Sequence, residues 1–217
     1  MLSCHLASIP QRESLLKIVL ESIVPFVDHT FVALSGYNHT PSFIDSLPTV
    51  TSRILSNKKG DANKFFFIND VSGLALITDD DLTWSPNAIN ILQQKVRQYN
   101  CPCSFHGKKY TPPVTRFKNI KENYRCLGTV VGDHEINCIG TGTLMFDTSM
   151  IKLSMDDFPY PNMADILFSK AAISQGVKLM AVEHRVGVVG YLNPKETIWN
   201  QTRDYSLHAR ILKEFIK

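Results

Sequence analysis

Three consecutive carboxylates, Asp79, Asp80 and Asp81, follow the apolar run Leu74 to Ile77 in the stretch LALITDDDLTW. Adjacent carboxylates repel one another, a standing cost that a cation, hydrogen-bond donors or water must offset. In an extended strand alternate side chains share a face, which would place Asp79 and Asp81 together and turn Asp80 away. Two oxygen donors at a strand end suit a hard divalent cation that leaves its other positions to water or phosphate oxygens. The same three residues suit a solvated turn with a helix-capping Asp equally well.

Two further stretches carry polar groups at related places. SIPQR, residues 8 to 12, sets Ser8, Pro10 and Arg12 at the end of a first strand, the usual address of a nucleotide in an open α/β sheet. GDANKF, residues 60 to 65, precedes the acidic strand, and its Asp61 and Lys64 can read a base edge and a phosphate. A surface turn explains GDANKF as well, and a surface helix position explains Arg12.

Positioning these groups takes a specific frame. LSCHLASIP reads as a strand, and Leu15, Leu16, Val19, Leu20 and Ile23 then recur at helical spacing up to Pro25. Ser8 and Gln11 are spaced for a capping box. HTFVALSGY and SRILSNK read as the next strands, so the chain opens as a βαβ unit with a parallel sheet. After the acids, Ser85 is a natural N-cap, Pro86 suits the first turn, and Ile89, Leu92 and Val96 form one apolar face. The acids therefore fall between a strand end and a helix start.

Beyond Cys101 the helical period gives way to short strand-like pieces, CSFHGK, RCLGTVVG and IGTGTLMFD. NMADILFSKAAISQG reads as a helix stopped by Gly176, VKLMAVEH as a strand and YSLHARILKEFI as a closing helix. The expected architecture is one α/β domain over residues 1–217. Residues 1–82 form a Rossmann-like half and 83–217 a mixed-sheet half, around a central, mostly parallel sheet flanked by helices.

Composition narrows the function classes. The chain has 217 residues, 44% of them hydrophobic, enough for a substantial core. A net charge of +3 with no long Lys/Arg run gives no support for a nucleic-acid partner. No apolar run approaches ~18 residues, so no transmembrane segment is expected. Five scattered cysteines without a CxxC pair read as reduced thiols, and with no signal-peptide pattern the expectation is a soluble, cytoplasmic protein. NQT at Asn200 matches a glycosylation pattern that would be silent there.

In the order of its motifs the chain resembles the GT-A fold nucleotide-sugar glycosyltransferases, above all the small family 2 type. The likeness runs through ASIPQRESLL, FVALSGY, GDANKF, the acidic strand LALITDDDL, the glycine-containing IGTGTLMFD and the acidic helix start NMADILF. It covers nearly the whole chain. A looser likeness is to the glycosyltransferase domains of chlorella viruses, which would place the protein in a host cytoplasm.

The resemblance implies a nucleotide-sugar half at 1–82 and an acceptor and catalytic half at 83–217. Asp79 and Asp81 match the metal-binding DxD pair, with Asp80 as a further contact to ribose or metal. Ser8, Pro10 and Arg12 border the nucleotide, and Asp61 and Lys64 help to hold uracil or phosphate. Asp165 matches the acid that inverting members use as base, and His184, which ends VKLMAVEH, a third metal ligand with Glu183 as substitute. An imidazole among carboxylates would favour Mn2+ over Mg2+. The implied partners are a UDP-sugar donor, glucose or a deoxyhexose such as rhamnose being candidate sugars, and a glycan hydroxyl as acceptor. The oligomeric state is not implied.

The chain departs from the family where a double acid is usual, because MAD supplies Asp165 alone. Asp156 and Asp157 are rival bases, although capping suits them better, and a retaining transferase of the same fold stays open. Trp84, Tyr110, Phe117, Tyr160 and Trp199 are candidate sugar-stacking rings, Trp84 first because it follows the acids. A sugar-nucleotide nucleotidylyltransferase would carry a glycine-rich basic loop that ASIPQRES lacks. A non-catalytic sugar- or nucleotide-binding module is the remaining alternative.

Overall fold

The structure, a computed structural model, describes residues 1–194 and 204–217. Strand β1 (Leu2–Ser8) leads through a 3-10 turn (Pro10–Arg12) into helix α1 (Glu13–Ile23). Then come β2 (His29–Ser35), the short helix α2 (Ser42–Asp45), β3 (Val50–Leu55) and a 3-10 stretch over Asn57–Phe65. They are followed by β4 (Leu74–Asp79), β5 (Leu82–Thr83), α3 (Pro86–Tyr99), β6 (Cys103–Ser104) and β7 (Gly107–Lys109). Next are β8 (Glu122–Tyr124), β9 (His134–Ile136), β10 (Cys138–Ile139), β11 (Thr143–Asp147) and α4 (Ala164–Ser174). β12 (Leu179–Ala181), β13 (Gly190–Tyr191) and the C-terminal helix Ser206–Phe215 complete the described chain.

Among the described residues the main sheet has the order β3-β2-β1-β4-β11-β6-β12-β9. β3, β2, β1 and β4 are parallel, as the opening βαβ pattern predicts. β11 runs antiparallel to both β4 and β6, which makes the second part of the sheet mixed. The result is an α/β fold with a large, mostly parallel central sheet flanked by helices, compatible with a Rossmann-like fold. The C-terminal ends of β1 and β4 lie side by side, with Ala7 paired to Asp79. SIPQR and the acids thereby come to one edge.

The alternation of β4 sets the two core layers. Leu76 faces a layer with Cys4 and Leu6 of β1, Leu16 and Leu20 of α1, and Ile89, Leu92 and Val96 of α3. Ala75 and Ile77 face the opposite layer with Phe146 of β11, Leu167 and Phe168 of α4, and Ile211 and Leu212 of the C-terminal helix. Each layer draws on residues before and after position 82.

Helix α3 begins as its sequence predicts. Ser85 accepts the Ala88 N–H at 3.2 Å, Pro86 opens the first turn, and left-handed Asn100 ends it. The capping box expected at Ser8 and Gln11 does not form: α1 starts at Glu13 without a side-chain cap. Ser8 Oγ instead donates to Asp80 Oδ2 at 2.7 Å, an ionised acceptor and hence a stronger partner than a helix N–H is. RCLGTVVG, expected as a strand, is mostly turns, joined to neighbouring backbone by the bridge Val130–His184. All five cysteines are free thiols. Among the described residues no helix is long and apolar enough to cross a membrane.

Candidate functional site

The acidic run does not keep strand geometry. β4 ends at Asp79, and Asp80 and Asp81 lie in the turn that follows. The expected pairing of Asp79 with Asp81 on one face is therefore replaced by a different division of partners. Arg12 Nη1 reaches Asp80 Oδ1 at 2.6 Å and Asp81 Oδ2 at 3.3 Å, while Asp79 Oδ1 takes Lys64 Nζ at 2.7 Å. Asp80 is buried, its other oxygen held by Ser8; Asp79 keeps 43% of its side chain exposed. Pro10 is exposed and opens the turn that carries Arg12 to the acids.

Lys64 is 3% exposed, so its ammonium is charged only because carboxylates surround it. Burial alone would lower its pKa, but Asp79, Asp61 and Asp165 outweigh that and raise it. Burial pushes Asp61 up to about 7, with Asp165 and Asp79 adding repulsion and Lys64 opposing them. Both Asp61 oxygens lie 3.4 Å from the Ala164 N–H, at the start of α4. Gly60, at φ +56, packs so closely on Asn162 that a Cβ there would meet its Oδ1 at 2.1 Å. GDANKF and NMADILF, about a hundred residues apart in the chain, are thus docked on each other at the site.

Asp165 Oδ1 accepts two hydrogen bonds from Thr141, from its N–H at 2.8 Å and its hydroxyl at 2.7 Å. Burial would raise this carboxyl, but His106 in its protonated form, Lys108, Lys64 and the Thr141 N–H outweigh it and lower the pKa. Thr141 lies in Gly140-Thr141-Gly142, just before β11, and both glycines are close approaches. A Cβ on Gly142 would meet Asp79 Oδ2 at 2.4 Å, and one on Gly140 would meet His106 Nε2 at 1.8 Å. His106 is a site residue that sequence reading missed. Burial lowers its pKa below the ordinary 6.5 against the pull of Asp165 and Asp79, which favours the neutral ring near pH 7. The GTG spacing before a strand was its one visible signal, since such glycines mark places where another group comes close.

Other expected participants lie elsewhere. His184 is buried, with Nδ1 2.8 Å from the Val182 carbonyl and Nε2 3.1 Å from the Arg125 carbonyl, so both nitrogens face backbone. Glu183 is exposed. Trp84 is not a sugar platform: it is 5% exposed, packs in the core and donates its Nε1–H to Thr78 Oγ1 at 2.9 Å. An apolar ring with one polar atom is fully satisfied in such a place. Tyr110 and Phe117 are also buried in the core, Tyr160 is half-buried, and Trp199 and Asn200 lie outside the described residues. Asp157 closes a capping box with Ser154, the bland role expected for it.

Among the described residues no group of three His, Cys, Asp or Glu side chains forms a ready-made metal centre. Asp79 and Asp81 are the carboxylates a cation would meet here, and each already has a protein cation beside it, Lys64 and Arg12 respectively. Burial first, then repulsion from Asp79 and Asp80, pushes Asp81 up to about 7 against the pull of Arg12 and Lys64. A pair of carboxylates would leave the rest of a cation's shell to a ligand's oxygens. No family model matches the chain, and no curated protein matches it closely enough to count as a relative.

Proposed function

We propose that the protein is a metal-dependent glycosyltransferase of the GT-A type that moves a hexosyl group from a UDP-sugar to a glycan hydroxyl. The observation that carries this reading is the edge shared by β1 and β4. There Asp79, Asp80 and Asp81 meet Arg12 and the buried Lys64, with neutral His106 and Asp165 beyond them. The parallel half joined to a mixed half supports it too, since that division is what the motif order implies.

Glycosyl transfer needs positive charge beside the leaving diphosphate, a group to take the acceptor's proton, and a fixed donor. Arg12 and Lys64 supply fixed cations at the strand ends, where an open α/β sheet binds phosphates. Asp79 and Asp81 would hold Mn2+ or Mg2+, which when bound neutralises charge growing on the leaving group. Asp80, tied down by Ser8 and Arg12, fixes the turn that presents its two neighbours. Asp61 anchors GDANKF to the start of α4 and so sets the wall facing the acids.

Calorimetry with UDP, other nucleoside diphosphates and UDP-sugars, with and without Mn2+, tests the reading. Metal-dependent UDP binding that vanishes in Asp79→Ala/Asp81→Ala is expected. Absence of nucleotide binding under every condition would overturn it.

A further inference from the structure

We infer that His106 Nε2, and not Asp165, takes the acceptor's proton at this site; the inference rests on the glycosyl-transfer reading above. Its basis is the path of protons through one buried chain of groups. Ser104 Oγ donates to the Gly140 carbonyl at 2.8 Å, which uses its single proton. The 2.8 Å contact between the Ser104 and Thr143 hydroxyls must then carry the proton of Thr143. Thr143 Oγ1 is left with two lone pairs. One accepts the Phe105 N–H at 3.1 Å, and the other meets His106 Nδ1 at 3.2 Å, a contact that requires the ring proton on Nδ1. Ser104 Oγ closes the count by accepting the His106 backbone N–H at 3.2 Å.

The neutral ring therefore keeps its lone pair on Nε2, the nitrogen a base needs. Nε2 is not engaged by any hydrogen bond among the described residues, and His106 is half-buried. The ring lies on Gly140, and its Cε1 borders Gly142, the same glycine that Asp79 Oδ2 touches from the donor side. Asp165, by contrast, already takes two donors on one oxygen and holds Thr141 between those glycines. It is a positioning residue for the loop on which the imidazole rests.

The step balances. The acceptor hydroxyl proton passes to Nε2 as the acceptor oxygen bonds to the anomeric carbon. The bond from that carbon to the β-phosphate oxygen breaks, and its electron pair leaves with UDP. Thr143 keeps the Nδ1 proton in place and stabilises the imidazolium that forms.

Two measurements test this on the intact protein. Long-range 1H–15N NMR, with His106→Gln to assign the signal, reads the tautomer without any substrate. A proton on Nδ1 and a bare Nε2 near neutral pH are expected, and a neutral ring protonated on Nε2 would overturn the inference. Turnover of UDP-glucose and UDP-rhamnose, to a glycan panel or to water, supplies the second readout. His106→Ala is expected to lose about a hundredfold or more in turnover while UDP affinity stays within about twofold. Added imidazole restores part of the loss, and Asp165→Asn, which keeps an oxygen for Thr141, loses less. UDP binding with His106→Ala as active as the parent overturns this inference alone, as does a lost turnover that imidazole does not rescue. A parent that binds no nucleotide overturns the glycosyl-transfer reading, and this inference with it.

Discussion

Lys64 Nζ sits 2.7 Å from Asp79 Oδ1, and the lysine is almost wholly buried while the aspartate is nearly half exposed. A protein-borne cation thus already neutralises one side of the acidic edge and leaves the other side to solvent. Lys64→Met removes that charge and strands Asp79, Asp61 and Asp165 near one another. The expected cost is about 1–3 kcal/mol in chemical denaturation, less than for a fully buried pair because solvent screens the 43% exposed Asp79 that is left behind. Adding Asp79→Asn to that variant is expected to recover part of it, and a cost under 1 kcal/mol for Lys64→Met alone would contradict the pairing.

Gly142→Ala acts on the other oxygen of the same aspartate. Its Cβ would lie 2.4 Å from Asp79 Oδ2, so the carboxylate must swing away. The backbone there needs no left-handed conformation, and the stability cost is that of overpacking, about 1–3 kcal/mol. Metal-dependent UDP affinity is expected to fall at least about tenfold, some 1.4 kcal/mol. Calorimetry beside a thermal melt separates the two effects.

Trp84→Phe distinguishes a core residue from a sugar platform. The variant loses the bond to Thr78 and part of the ring volume, a cost of about 2 kcal/mol. UDP-sugar affinity at a temperature well below the melt is expected to match the parent. A selective loss of sugar-nucleotide binding with unchanged stability would return Trp84 to the site.

His5, within β1, makes an acid-sensitive contribution to stability. It is fully buried, stacked on Phe31, with Nε2 2.9 Å from Ser3 Oγ and Nδ1 without a partner. Burial, helped by His29, lowers its pKa to about 3. Below the ordinary value of 6.5 the unfolded chain binds a proton that the folded chain refuses. The contribution of this residue to stability is complete above that pH and declines as pH falls towards 3, by at most about 1.4 kcal/mol per unit. Asp61 and Asp81, pushed up to about 7, slope the opposite way, so the readout is the difference between parent and His5→Phe. Denaturation midpoints at pH 7 and pH 4.5 are expected to show the parent losing more stability on acidification than the variant.

What could be read from sequence follows the range of the interactions concerned. Leu74 to Ile77, the Ser85-Pro86 start of α3 and the Gly176 stop of α4 were legible because propensity, period and capping act within a few residues. So was the parallel start of the sheet, which a strand-helix-strand order imposes. Where each acid turns was not legible: alternation holds only inside a strand, and β4 stops at Asp79. Ser8, spaced for a helix cap, went to an ionised acceptor 72 residues away because tertiary packing offered the stronger partner. His106 stayed hidden for the same reason. Its tautomer is set by Ser104 and Thr143 and its place by Gly140, partners that meet only when β6 and β11 pair. The sequence by itself determined the elements and brought the acids to a strand end, whereas the tertiary structure alone decided which charges and protons they share, since those pairings cross segments that local chain preferences cannot join.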